Sequence, residues 1–305
     1  ASGYGGTLAD GFRQEEFSTA PTPEPQSGWR RAVLKGTFGL LNPGESRIER
    51  EDRERAERVR ANIRGQFIFA VICPRGGVAK TTTTAALGSM FASLRGSEVL
   101  ALDANPDEGN LASRINPQAT ATFADLLRDA KNIRGVTDTR SYTANNVDKL
   151  DVLASSKELV RPTTYTPAQL VDTVNLLRSS YRIIGIDSGN RLHSDVFSTT
   201  LDLVSAVVVV AGCQVDSGYS ALRFYDWMIA NGRGDLVDRS FLMISDRSPA
   251  SSPKIRASIE ERVSSTKWAN PLYVPFDEHL NEAGVINLAQ LRRPTYRAYL
   301  EGAAR

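Results

Sequence analysis

Nine residues, Pro74-Arg-Gly-Gly-Val-Ala-Lys-Thr-Thr82, join a run of strand formers to a run of helix formers, and no other stretch constrains the fold as tightly. Phe67-Ile-Phe-Ala-Val-Ile72 leads in, and Lys80 to Leu94 leads out. Gly76 and Gly77 let the backbone turn its N–H groups towards one point, and the helix that follows aims its positive end there too. Such a loop cradles phosphate. Lys80 would reach the outer phosphates and the Thr81 hydroxyl would hold magnesium, while the amides through Val78, Ala79 and Thr82 wrap the anion. The usual pattern has glycine at 74 and 79, where this chain has Pro74 and Ala79. Nucleotide binding is expected to survive these changes; turnover is a separate question.

With 305 residues and 41% hydrophobic content the chain can bury one large core. A net charge of +2 excludes a chain that binds nucleic acid by bulk charge alone. The most apolar stretch, Val204 to Gly212, is too short to span a bilayer and reads as a strand buried on both faces. The polar first residues, with Asp10, Glu15 and Glu16, carry no secretory pattern, so a cytoplasmic protein is expected, with the inner membrane periphery as the variant. Cys73 and Cys213 read as buried free thiols, and His193 and His279 as ordinary residues rather than metal ligands.

Residues 1–27 are rich in Gly, Pro, Ser and Thr and are expected to form a flexible tail of a longer parent protein. Residues 28–65 read as a basic, amphipathic and charged helical arm. In it Ser46 and Glu49 make a capping-box pair, and Glu49/Arg53, Glu51/Arg55 and Glu54/Arg58 stand four apart over 47–64. Trp29, Leu34, Phe38, Leu40 and Leu41 beside Arg30, Arg31 and Lys35 are expected to pack on protein, with a membrane surface through 29–41 as the alternative. From residue 66 to 305 apolar runs alternate with amphipathic ones. Strands are expected at 67–72, 98–103, 150–154, 182–187, 205–212, 240–245 and 271–275. Helices are expected near 80–94, 121–131, 166–180, 217–231, 252–264 and 286–303, the third capped by Thr166 and Gln169 and the fourth by Asp216. The alternation predicts an α/β fold of the P-loop NTPase kind: three layers, α/β/α, around a mostly parallel sheet. Ligands bind such sheets at the carboxyl ends of the strands.

Two further segments belong to the same chemistry. Ile183-Ile-Gly-Ile-Asp187 has the form of a strand delivering a carboxylate to a magnesium shell, followed by Ser188-Gly-Asn190 as a candidate switch. Val99-Leu-Ala-Leu-Asp103 ends a second strand, and Ala104-Asn105-Pro-Asp-Glu-Gly-Asn110 follows as a polar loop. That order places Asp103 beside the triphosphate.

Together the three segments resemble the deviant-loop ATPases of the MinD/ParA class. With Gly28-Trp-Arg-Arg31, Leu41-Asn-Pro-Gly44, Ala221 to Trp227, Val274 to Leu280 and Arg297 to Leu300, residues 28–305 resemble the MinD-like ATPases associated with actinobacterial type VII (ESX) secretion, the EspI type. The resemblance implies ATP and magnesium as ligands and a homodimer formed through the nucleotide. It also implies roles and departures. The signature lysine, which reaches a partner subunit's phosphate, falls on Arg75, a planar fork instead of a point charge. The water-positioning carboxylate falls on Asn105, and the adenine-side asparagine falls on Ser245. Pro275 and Asp277 match the base- and ribose-side segment.

Arg75, Lys80, Asp103 and Asn105 are thus the candidate catalytic residues, and Thr81 and Asp187 the candidate magnesium ligands. The expected function is an ATP-binding switch with slow or lost hydrolysis, whose partners are secretion-machinery or secreted proteins. The alternatives are an active ATPase positioning DNA or protein cargo and a pseudo-ATPase scaffold. Arg292, Arg293, Arg297 and Arg305 give DNA its only handle, a minor one.

Overall fold

The computed structural model describes residues 22–96, 98–105, 109–155, 165–189 and 191–305. Residues 1–21 of the expected tail, 106–108 of the second loop and residue 190 of the candidate switch lie outside them. The chain divides into a unit ending at Glu54 and a unit over Arg55–Arg305.

In the first unit, α1 (Gly28–Gly36) buries no residue. The Arg30 guanidinium donates to the carbonyls of Pro43, Gly44 and Glu45 at 3.2, 3.3 and 3.1 Å, closing the turn that follows. The capping box is present at the start of α2 (Arg47–Arg60): Glu49 N–H donates to Ser46 Oγ at 3.3 Å and Ser46 N–H donates to Glu49 Oε2 at 2.8 Å. Ser27 also donates to Glu49, and these bonds hold its carboxyl down at about 2, the Ser46 amide first. Arg53 pairs with Glu45 at 2.9 Å, because Glu49 is taken up by the cap. α2 ends at Arg60, short of the expected 64. Trp29, Phe38, Leu40 and Leu41 are exposed.

The second unit is built on β1 (Phe67–Ile72), β2 (Val99–Ala104), β3 (Ala144–Asn145), β4 (Asp151–Leu153), β5 (Ile183–Ser188), β6 (Ala206–Gly212), β7 (Ser240–Ser245) and β8 (Leu272–Val274). They form one sheet in the order β3-β4-β2-β5-β1-β6-β7-β8, parallel except for β3 against β4. Strand side chains alternate between faces, and here both faces are apolar. Ile68, Ala70 and Ile72 enter one core, and Phe69 and Val71 the other. In β6, Val207, Val209 and Ala211 oppose Val208 and Val210 in the same way. Each Val, Ile or Phe among them contributes about 1.5–3 kcal/mol if fully buried, so the alternating cores fix the register.

The first core is covered by α5 (Phe123–Arg128), α7 (Pro167–Leu177), α8 (Asp195–Leu203), α9 (Val215–Ala230), α10 (Gly234–Val237) and α11 (Pro253–Val263). The second is covered by α3 (Lys80–Arg95), α4 (Leu111–Ile115) and α13 (Arg293–Ala304). The remaining short helices are α6 (Val136–Arg140) and α12 (Glu278–Asn281). This is the expected three-layer arrangement. Twelve of the 16 residues of α3 are buried, which is why it shows little amphipathic pattern.

Four helices of the second unit depart from expectation, among them α7, which ends at Leu177 where 180 was expected. The run at 286–303 is split into a 3₁₀ turn at Leu288–Gln290 and α13, because Pro294 is tolerated only in a first turn. The run at 121–131 ends at Arg128 before a second 3₁₀ turn. α9 begins earlier than expected, with Gln214 at the N-cap, so Asp216 lies inside the first turn and is not its cap. No helix among the described residues is long and apolar enough to cross a membrane.

Candidate functional site

The loop after β1 lies between the carboxyl ends of β5 and β6, the strands flanking β1. Gly77 has φ 81° and Ala79 has φ 73°, so the chain takes two left-handed steps before α3. Glycine does this freely, whereas an alanine there costs about 1–2 kcal/mol. The altered loop therefore carries strain at Ala79. Gly76 and Gly77 are exposed, Val78 is buried against the core, and Thr82 is buried behind the cradle.

Asp187 gathers the chemistry. Its Oδ1 accepts from Lys80 Nζ at 2.7 Å and its Oδ2 accepts from the Thr81 hydroxyl at 2.7 Å. Thr84 adds a bond at 3.2 Å. Asp187 is fully buried and Lys80 nearly so, and a buried charge of either sign needs such a partner. Lys80, Thr81 and Asp187 form one cluster.

Asp103 stands opposite Asp187 in the β2–β5 register. It accepts from the N–H groups of Asn105 and Leu111, both at 3.1 Å. Burial, and then the Asp187 charge, push its carboxyl up to about 7. A Cβ on Gly109 would lie 2.2 Å from Asp103 Oδ2, so the loop's return past the carboxylate requires glycine. Asn105 begins that loop with its N–H on Asp103.

Arg75 is half exposed and pairs with Asp216 of α9 at 2.8 Å, at the rim of the loop. The structure thus places it next to the cradle without directing it inward. Ser245 and Pro275, the expected base-side residues, line a narrow compartment with Thr82 and Ala79. Asp277 borders it too, but both its oxygens are engaged, accepting from His279 N–H at 3.1 Å and Arg292 N–H at 2.9 Å. Its carboxylate caps α12 and anchors the approach to α13. His279 Nε2 accepts from Asn287 N–H, a structural contact. Cys73 and Cys213 are free and buried, and burial pushes both thiols up to about 11, far from nucleophilic at neutral pH.

Two arginines at this site carry no sequence signature. Arg114, on α4, is buried and donates to Thr82 Oγ1 at 2.6 Å, to Leu280 O at 3.1 Å and to Gly284 O at 3.1 Å. Arg247 donates to the Gly77 carbonyl at 2.5 Å. Arg114 follows the second loop in an unremarkable Leu-Ala-Ser-Arg-Ile run, and only its burial reveals it.

The donor set suits a nucleotide with magnesium. Among the described residues no group of three or more His, Cys, Asp or Glu could hold a metal by itself. Magnesium characteristically takes one or two protein oxygens and completes its shell from phosphate and water. Thr81 and Asp187 supply such a pair, and Lys80 supplies the charge for the phosphates.

A family model described as "AAA domain" matches residues 66–221, just over half of the chain. The ESX-1 secretion-associated protein EspI of Mycobacterium tuberculosis is 33% identical over 281 residues, 92% of this chain and 42% of that protein. The chain therefore spans less than half the length of the curated relatives it matches. Among solved structures, the MinC:MinD cell division complex of Aquifex aeolicus aligns with TM-score 0.59 and 20% identity, over 78% of this chain and 93% of that one. A ParA family ATPase from Chlorobium tepidum aligns with TM-score 0.63 and 16% identity, over 79% and 98%. At these identities the likeness is one of fold.

Proposed function

The chain belongs to the AAA domain family, with the fold of MinD and ParA proteins, and on that footing we propose that it is an ATP–magnesium-dependent switch with slow or lost hydrolysis. The observation that carries the binding half is the bonding of Asp187 to both the Lys80 ammonium and the Thr81 hydroxyl at the mouth of the loop. In the liganded state Lys80 would turn to the phosphates, while Thr81 and Asp187 would serve the magnesium shell. Magnesium, when bound, supplies positive charge shared between phosphate oxygens. The amides between Gly76 and Thr82 would hold the polyphosphate.

The slow-turnover half rests on Asn105 and Arg75. An amide can orient a water but is a poor acceptor for its proton. Arg75 keeps a positive charge at the rim, where a second copy facing the nucleotide would meet it. A single transition-state clamp in this chemistry is worth about three to five decades of rate. The likeness to EspI supports a reading in which the partners are proteins of that secretion system or its secreted substrates. The exposed Trp29, Phe38, Leu40 and Leu41 offer such a partner, or a lipid surface, an apolar contact.

Turnover under saturating ATP–magnesium is the test. Wild type should release phosphate at the limit of detection, and Asn105→Asp should raise the rate at least about tenfold, a small share of a clamp's worth. Brisk wild-type turnover that vanishes in Lys80→Ala would instead establish an active ATPase.

A further inference from the structure

We propose that Arg247 is the gate of the base-side compartment and so sets how much the base, as distinct from the phosphates, contributes to binding. This rests on the nucleotide reading above and adds a residue that neither the loop motif nor the resemblance singled out.

Ser245 and Arg247 border two adjoining spaces. One, against Thr82, Pro275 and Asp277, has about 20 Å³ of room. The other, against Gly77, Gly212, Gln214 and Ser251, has about 260 Å³. The first is space for roughly one water molecule, and a purine does not enter it. The Arg247 side chain crosses the boundary and donates to the Gly77 carbonyl at 2.5 Å. A nucleotide with its phosphates on residues 76–82 can seat its base beside Ser245 and Pro275 only after that bond opens.

The neighbours explain why the guanidinium is available for this task. Asp246, next in the chain, is committed elsewhere: it accepts from Ser248 N–H at 3.0 Å, from Ser251 Oγ at 2.5 Å and from Tyr273 OH at 2.9 Å. Among the described residues Arg247 has no ion pair, and its side chain is exposed. A charged donor on a neutral carbonyl is a bond that an incoming ligand can replace. Because the acceptor is Gly77, one of the loop's two left-handed residues, base entry and loop geometry are mechanically joined.

The test compares ATP–magnesium with magnesium tripolyphosphate, which needs the loop but no base compartment. In Arg247→Ala the ratio of ATP affinity to tripolyphosphate affinity should rise about tenfold, because the base no longer displaces a side chain; in Arg247→Lys, whose ammonium still reaches a carbonyl, it should return towards wild type. Without any ligand, amide exchange at Gly77 and Val78 should quicken in Arg247→Ala and not in Arg247→Lys. A ratio that stays put or falls, with both ligands still binding, overturns the gate and leaves the nucleotide reading standing. Wild type that binds neither ligand overturns that reading and the gate with it.

Discussion

Asp103 and Asp187 face one another across adjacent parallel strands, and two carboxylates so placed cannot both stay charged cheaply. Lys80 and Thr81 serve Asp187, so the penalty falls on Asp103, which burial and then Asp187 raise to about 7. A carboxyl raised on folding adds stability fully below its unfolded value of 3.8 and loses it as pH climbs through about 7. Thermal unfolding of ligand-free wild type should therefore show a fall in stability between about pH 4 and 7 and a plateau above it, on the order of a few kcal/mol at most. Asp103→Asn keeps an acceptor for one of the Asn105 and Leu111 amides, removes the titrating proton and should flatten that fall. An unchanged pH profile in the variant would mean Asp103 is ionised throughout. At this scale the sequence was legible where a motif exists: Lys80 and Thr81 meet Asp187, and Asp103 stands opposite it on the neighbouring strand. Asp277 was legible only as a position, since its carboxylate is consumed by backbone amides. Arg114 and Arg247 were not legible, because their roles come from contacts with Leu280, Gly284 and Gly77, remote in sequence.

Among elements, the joint between α3, α4 and the segment 277–284 decides how rigidly the cradle is held. Arg114 makes that joint through three hydrogen bonds at a site nearly closed to water. Arg114→Met fills much of the space but leaves two carbonyls and the Thr82 hydroxyl without their donor. The loss should be about 2–4 kcal/mol in urea unfolding. A change under about 0.5 kcal/mol, the range of an ordinary surface substitution, would show that water replaces the guanidinium. The element boundaries tell a related story. Strands were legible to within a residue or two, because β-branched runs buried on both faces leave no other reading. Helix ends were less so. Pro294 was visible in the sequence, yet the apolar residues Ile286, Leu288 and Leu291 continue into α13 and mask the break between a 3₁₀ turn and a true helix. Asp216 looks like a cap by residue type, but α9 starts at Val215, and the acidic side chain instead meets Arg75. The two-residue β3 and the short α4, α6, α10 and α12 carry too few residues for periodicity to register.

For the molecule as a whole, the eight-stranded sheet sets β1 between β5 and β6, so the phosphate loop and the Asp187 carboxylate emerge side by side. That architecture follows from alternating apolar runs and was legible in its longer strands and helices. What it does not dictate is whether a loop with Pro74 and a left-handed Ala79 still closes on a polyphosphate, and the central claim is that it does. Calorimetric titration of the protein with ATP in the presence of magnesium addresses this directly. The account predicts a saturable heat in wild type that disappears in Lys80→Ala, with circular dichroism showing that variant folded although Asp187 has lost its ammonium partner. No heat of association for any purine triphosphate at millimolar concentration would contradict it.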